Sequence, residues 1–201
     1  MDALYDEQLA EFSRERLDGR PVPDDLRTLL IAQWEGRSDF ARLLDLEFFE
    51  PDEPHPFLDT DYLSEEELAA PKMQAVHAAT ARMAEHVKLV AKGAMGWVGY
   101  WLHPDEPASP AWRPIGLDTE FTLWHLRGTT LAEAAAAEQS AYQDEPDERL
   151  AYAQIVARLD ALGLPLAARD YDALDERDYH VDPKKLLETL TAQERAKRGL
   201  E

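Results

Sequence analysis

Three glycines at three-residue spacing, Gly93, Gly96 and Gly99, followed by Pro104, Pro107, Pro110 and Pro114, exclude a helix from the middle of the chain. In a helix interior glycine costs about 1 kcal/mol relative to alanine, and proline about 3. The residues around the glycines are aromatic or apolar, so 95–102 reads as a strand apolar on both faces, hence central in a sheet. Residues 103–114 become a connecting loop. Ile115 and Leu117 then alternate into Asp118, Thr119 and Glu120, and Phe121 and Leu123 resume, which predicts two short strands about a tight turn. Trp124 points to the opposite face from Leu123.

Helical patterns flank this sheet region. Leu4, Leu9, Phe12 and Leu17 predict a helix over 2–18, stopped by Gly19, Pro21 and Pro23; Leu26, Leu29, Leu30 and Trp34 predict a second that ends at Gly36. Ser38 can cap a short third helix through Leu43. In LLDLEFFE, the alternation of Leu44, Leu46 and Phe48 with Asp45 and Glu47 predicts a half-buried strand with an acidic outer face. Ser64 and Glu67 have capping-box spacing, and Pro71 can open a longer helix to about Lys92, with Met73, Val76, Thr80, Met83, Val87 and Val90 as its core stripe. After Gly128, Thr129 or Thr130 can cap the alanine-rich helix LAEAAAAEQSAYQ. Asp147 opens a helix burying Tyr152, Ile155, Val156, Leu159 and Leu162, and Asp182 with Pro183 opens a last one burying Leu186, Leu187 and Leu190. The polar end of that last helix, from Thr191, is expected to fray.

The order YWLHP, proline loop, PIGLDTEFTLWHLRG and TLAEAAAAE resembles the second half of the SUKH superfamily, the yeast cell-wall-regulator-like domains. Tyr100, Trp101, Ile115, Leu117, Asp118, Glu120, Phe121, Leu123, Gly128, Thr129 and Leu131 occupy the places of its aromatic strand, its Asp-x-Glu turn, its small step and its final helix. The resemblance covers about residues 97–138. It implies an α+β domain with a twisted antiparallel sheet flanked by helices, and a non-enzymatic role, since many bacterial members look like immunity proteins that neutralise a cognate toxin. The expected organisation is a SUKH-like domain over 1–143 with a helical C-terminal extension, 144–201, packed on the same unit.

Chemistry is sparse. The chain has no cysteine, which removes disulfides, thiolate nucleophiles and cysteine zinc sites. His77 and His86 are nine residues apart, on opposite sides of a single helix, and no HExxH, EF-hand loop, nucleophile elbow or glycine-rich phosphate loop appears. No catalytic residue, metal or cofactor is therefore expected, and the chain reads as not an enzyme; the alternatives are a small enzyme with a pocket between sheet and extension, or a regulatory scaffold. The tryptophans Trp97, Trp101 and Trp124 read as fillers between sheet and helices, with a sugar or base platform as the other reading. No apolar run is long enough to span a membrane, and the acidic N-terminus is unlike a secretion signal, so a cytoplasmic protein is expected.

Charge carries the strongest hint about partners. Forty-one acidic against 21 basic residues give a net charge of −20, which repels nucleic acid and anionic lipid. Half of that excess lies between Asp45 and Glu67, ten carboxylates with no lysine or arginine among them. A basic protein partner, such as a nuclease toxin, is the expected target. Asp45, Glu47, Glu50, Asp52 and Glu53 are the candidate steering charges, Phe49 or Phe57 the apolar anchor, and Trp112 in the proline loop a further exposed contact.

Overall fold

A computed structural model describes residues 4–50, 53–106, 112–142 and 147–200. Its centre is a five-stranded antiparallel sheet in which each strand pairs with the next along the chain: β1 (Glu47–Phe48), β2 (Val87–Gly93), β3 (Gly96–Trp101), β4 (Arg113–Asp118) and β5 (Leu123–His125). β2 and β3 form a two-residue hairpin, with Gly93 opposite Gly96, and a bulge between Leu89 and Ala91 shifts the register. Two glycines in the middle of this sheet are demanded by close approach. A Cβ on Gly99 would lie 2.0 Å from the Lys88 carbonyl oxygen, and one on Gly116 would lie 2.2 Å from the Trp124 ring. At the β4–β5 turn, Asp118 Oδ1 accepts the backbone N–H groups of Glu120 and Thr122 at 2.9 and 2.7 Å, and Phe121 takes a left-handed φ of 62°.

Both faces of the sheet are covered, so the chain has two cores rather than one. On one face Val98 and Tyr100 meet α1 (Asp6–Arg16), α2 (Asp24–Trp34), α3 (Asp39–Leu44), α6 (Leu131–Ala141) and α7 (Glu148–Ala161). On the other, Leu89, Trp101, Ile115 and Leu117 meet α5 (Pro71–Ala84) and α8 (Pro183–Lys197). The period of two within β3 sends successive side chains to these opposite cores. The α6 sequence is rich in alanine because it is enclosed: Ala132, Ala134, Ala135, Ala136 and Ala137 are all buried, against α2, α3 and α7. The fold is α+β with a helical C-terminal region, and that region supplies one helix to each core.

Side-chain caps set half of the helix starts among the described residues. Ser64 and Glu67 make the capping box at α4 (Glu65–Ala69); Thr130 caps α6, Asp147 caps α7 and Asp182 caps α8, each accepting a backbone N–H.

Two expectations are corrected. The helix from Pro71 ends at Ala84 rather than Lys92, because in β2 Val87 and Leu89 are buried in one core and, past the bulge, Val90 and Ala91 in the other. Their three-and-four spacing coincides with a helical stripe, but the core face of α5 is Ala75, Ala79 and Met83, and Val76 is exposed. The strand expected over 44–48 shrinks to Glu47–Phe48, since α3 extends through Leu44 and Asp45 turns the chain with a φ of 50°. α8 runs to Lys197, and near its end Glu194 is buried and paired with Lys197 at 2.6 Å, Arg198 at 2.7 Å and Arg82 of α5 at 3.5 Å.

Candidate functional site

The acidic stretch leaves β1 and crosses the lower part of the sheet. Asp45, Glu47 and Glu50 are exposed, as expected of steering charges, whereas Glu53 is half-buried and paired with Lys92 at 3.5 Å. Asp52 lies outside the described residues. The two expected anchors turn inward, and this corrects the sequence reading. Phe49 is 4% and Phe57 3% exposed. Phe49 lies under the Arg16 guanidinium, 4.8 Å from its ring centre, and Phe57 stacks on Phe121 and His55 at 5.8 and 5.7 Å. Their area goes into the second core because a proline-broken segment without helix or strand has few other means of holding to the sheet.

A cation from α1 fastens the same segment, and a second, on β2, is buried close by. Arg16 of α1 donates to the carbonyl oxygens of Glu50 and Glu53 at 2.5 and 2.6 Å. Lys88 of β2 donates to the Ala84 carbonyl at 2.9 Å and pairs with Asp18 at 2.8 Å. His55 contributes Nε2 to the Val87 carbonyl at 3.0 Å, while its Nδ1 accepts the Phe57 N–H at 3.1 Å, an arrangement that requires the neutral ring protonated on Nε2. Burial, with Lys88 and Arg16 nearby, pulls its pKa down to about 4.

Sequence reasoning missed the apolar groups that do face outward here. Leu58 and Tyr62 are 50% and 62% exposed, between the carboxylates Asp59, Asp61, Glu65 and Glu66, which are themselves wholly or partly exposed. The signal was present in the adjacent pair Phe57–Leu58: in a short turn only one of two successive side chains can reach the core, and the aromatic one does.

A second locus lies at the opposite end of β3. Trp101 is core, 2% exposed, with Nε1 donating to Glu106 at 3.2 Å; Trp97 and Trp124 are half-buried against the two cores. Trp112, expected to be exposed, is half-buried and meets Tyr100 edge-to-face at 5.2 Å. Two hollows of about 630 and 700 Å³ flank it. The first runs between the ends of β3 and β4 and the segment 175–180. Arg113 clamps that segment, donating to the carbonyls of Arg177 and of Asp178 (the latter at 3.0 Å) with its guanidinium 5.0 Å above the Tyr179 ring. The second is walled by residues 21–25, 129–130 and 163–167 together with Tyr100. Asp25 lines it while accepting the Ala132 N–H at 3.0 Å, and burial raises its pKa. Tyr100 is fully buried and its hydroxyl has no partner among the described residues; burial lifts its pKa well above the usual phenol value.

Among the described residues no group of three or more histidines, cysteines and carboxylates is placed to hold a metal ion, and no helix is long and apolar enough to cross a membrane. The chain matches no family model, no curated protein and no solved structure.

Proposed function

We propose that the protein is a non-enzymatic binding domain, an immunity protein that acts in the cytoplasm by covering a basic surface of a cognate bacterial toxin, a nuclease being the apt target. The observation that carries this reading is the placement of exposed Leu58 and Tyr62 among the carboxylates of 45–67. A binding surface needs an apolar anchor ringed by polar groups, and charge of one sign speeds encounter with a partner of the other. The aromatic strand, Asp-x-Glu turn and Leu-Ala-Glu helix that resemble SUKH domains support the same reading. In this scheme Asp45, Glu47 and Glu50 steer while Tyr62 and Leu58 fix the complex.

The test is functional. The C-terminal domain of a large reading frame beside this one is expressed alone and together with this chain. Growth restored by co-expression, with a stable one-to-one complex in solution, is the expected result; toxicity that persists despite folded chain overturns the reading.

One observation favours a second reading, a small enzyme. The hollow between β3–β4 and the segment 175–180 places His103, His180, Glu106 and Tyr179 around one space. Loss of toxin neutralisation on changing the acidic surface but not this hollow separates the two.

A further inference from the structure

The hollows on either side of Trp112 meet at that residue and at Thr129, so they form one groove across the end of β3. Either volume lies within the range of about 300–1,000 Å³ usual for small-molecule sites. Charge along the groove is mixed: Arg113 and Arg177 stand with Asp175 and Asp178 in one half, and Asp24 and Asp25 line the other. A ligand with a strong charge of either sign meets its own sign somewhere along this path. Neutral hydroxyl groups meet no such conflict, because they donate to carboxylates and accept from guanidinium and phenol groups.

Two features of the groove are unexplained by the fold. The Tyr100 hydroxyl is buried without a partner among the described residues, a state that costs about 1–3 kcal/mol unless something else satisfies it. Trp112 keeps part of its ring open, since Tyr100 meets it at 78° and no other described aromatic ring pairs with it. Nearby, the exposed carboxylates of Asp24 and Asp178 take no hydrogen bond or ion pair from the described residues, so a ligand competes for them only with water. A flat apolar ring beside exposed acceptors and this phenol suits a molecule with an apolar face and hydroxyl-bearing edges.

We propose that this groove binds a neutral polyhydroxylated ligand, a short saccharide, with one sugar ring against Trp112 and its hydroxyl groups bonded to Tyr100, Asp24 and Asp178. The site is distinct from the acidic edge at β1, and it stands or falls independently of the toxin reading.

The full chain is titrated with maltotetraose, cellotetraose and tetra-N-acetylchitotetraose, followed by tryptophan fluorescence and calorimetry, with agmatine and inorganic phosphate as charged probes. Saturable binding of at least one saccharide, with Kd on the order of 1 mM or tighter, is expected. Trp112→Ala should weaken it roughly tenfold or more, and Tyr100→Phe roughly three- to tenfold, the worth of one net hydrogen bond. Because the Tyr100 hydroxyl bonds to none of the described residues, Tyr100→Phe should leave the melting temperature unchanged or raised, which keeps the test valid if Trp112→Ala folds poorly. No saturation by any of the three saccharides, tighter binding of agmatine or phosphate, or affinity unchanged in Tyr100→Phe overturns the proposal.

Discussion

Glu133, in the first turn of α6, accepts the backbone N–H of Ala168 on Oε1 at 2.8 Å while its Oε2 takes the N–H and hydroxyl of Thr129 at 2.8 and 2.9 Å. The side chain is 2% exposed, so one carboxylate ties the start of α6 to the loop that follows α7. The Tyr152 hydroxyl donates to the Ala168 carbonyl at 2.9 Å and closes the same link. Glu133→Ala strands the buried Ala168 N–H and releases the Thr129 N–H to water, and each charge-assisted bond is worth about 1.5–3 kcal/mol. A loss of roughly 3 kcal/mol is expected, read as a fall in the denaturant midpoint. Glu133→Gln, which keeps one acceptor oxygen, should lose less; equal losses would mean that volume and not hydrogen bonding governs the site.

Gly99 gives a sharper steric prediction. A methyl group there would meet the backbone of β2, 2.0 Å from Lys88 O and 2.6 Å from the Leu89 Cα, and backbone in a central strand cannot swing aside. Gly99→Ala should cost about 3 kcal/mol or more, at the upper end of overpacking effects. For Gly116→Ala the three nearest atoms all belong to the half-buried Trp124 ring and none to backbone, so a smaller loss accompanied by a change in tryptophan fluorescence is expected.

The neutral ring of His55 links stability to pH. Its pKa in the fold, about 4, is below the ordinary histidine value of 6.5, so between those limits the unfolded chain holds a proton that the folded chain lacks. This contribution to stability is complete above pH 6.5 and is lost as pH falls toward 4. At 1.36 kcal/mol per pKa unit it amounts to about 3 kcal/mol. His86 and His125 are also lowered, the first mainly by desolvation with His103 beside it and the second by desolvation with Arg113 beside it, and they add to the slope in the same direction. Unfolding free energies of His55→Gln across this range should fall less steeply than those of the parent by about that amount; parallel curves would show that His55 takes up its proton in the fold as readily as in the unfolded chain.

The legible parts of the fold were those governed by local chemistry. The caps Ser64, Thr130, Asp147 and Asp182, the Asp118 turn and the glycine-spaced strand each depend on contacts within a few residues, and the sequence spells them out. β2 was hidden because Val87 and Val90 continue the spacing of α5, and only sheet partners decide that they leave the helix. The fate of Phe49 and Phe57 was hidden for a related reason: Arg16 lies on α1 and Phe121 in the β4–β5 turn, far along the chain from the segment they hold down. The groove at Trp112 was equally out of reach, since it joins the starts of α2 and α6 to the ends of β3 and α7.

Phe57, expected as a surface anchor, is core, and Tyr62 is the aromatic that faces outward, so mutation separates the two cleanly. Phe57 fills the second core beside Phe121 and Leu123, so Phe57→Ala should cost about 3–5 kcal/mol of stability, as for other buried aromatic truncations. Tyr62 is 62% exposed, and Tyr62→Ala should leave stability within about 0.5 kcal/mol. With a neutralised toxin in hand the order reverses: Tyr62→Ala and Leu58→Ala should mainly speed dissociation, as loss of an anchor does. Changing Asp45, Glu47 and Glu50 to their amides should instead slow association and flatten its salt dependence, because those side chains are exposed and screened. Stopped-flow association at two ionic strengths distinguishes the effects. Wild-type rates in all of these variants would remove the β1 edge from the interface and move the search for it to another face.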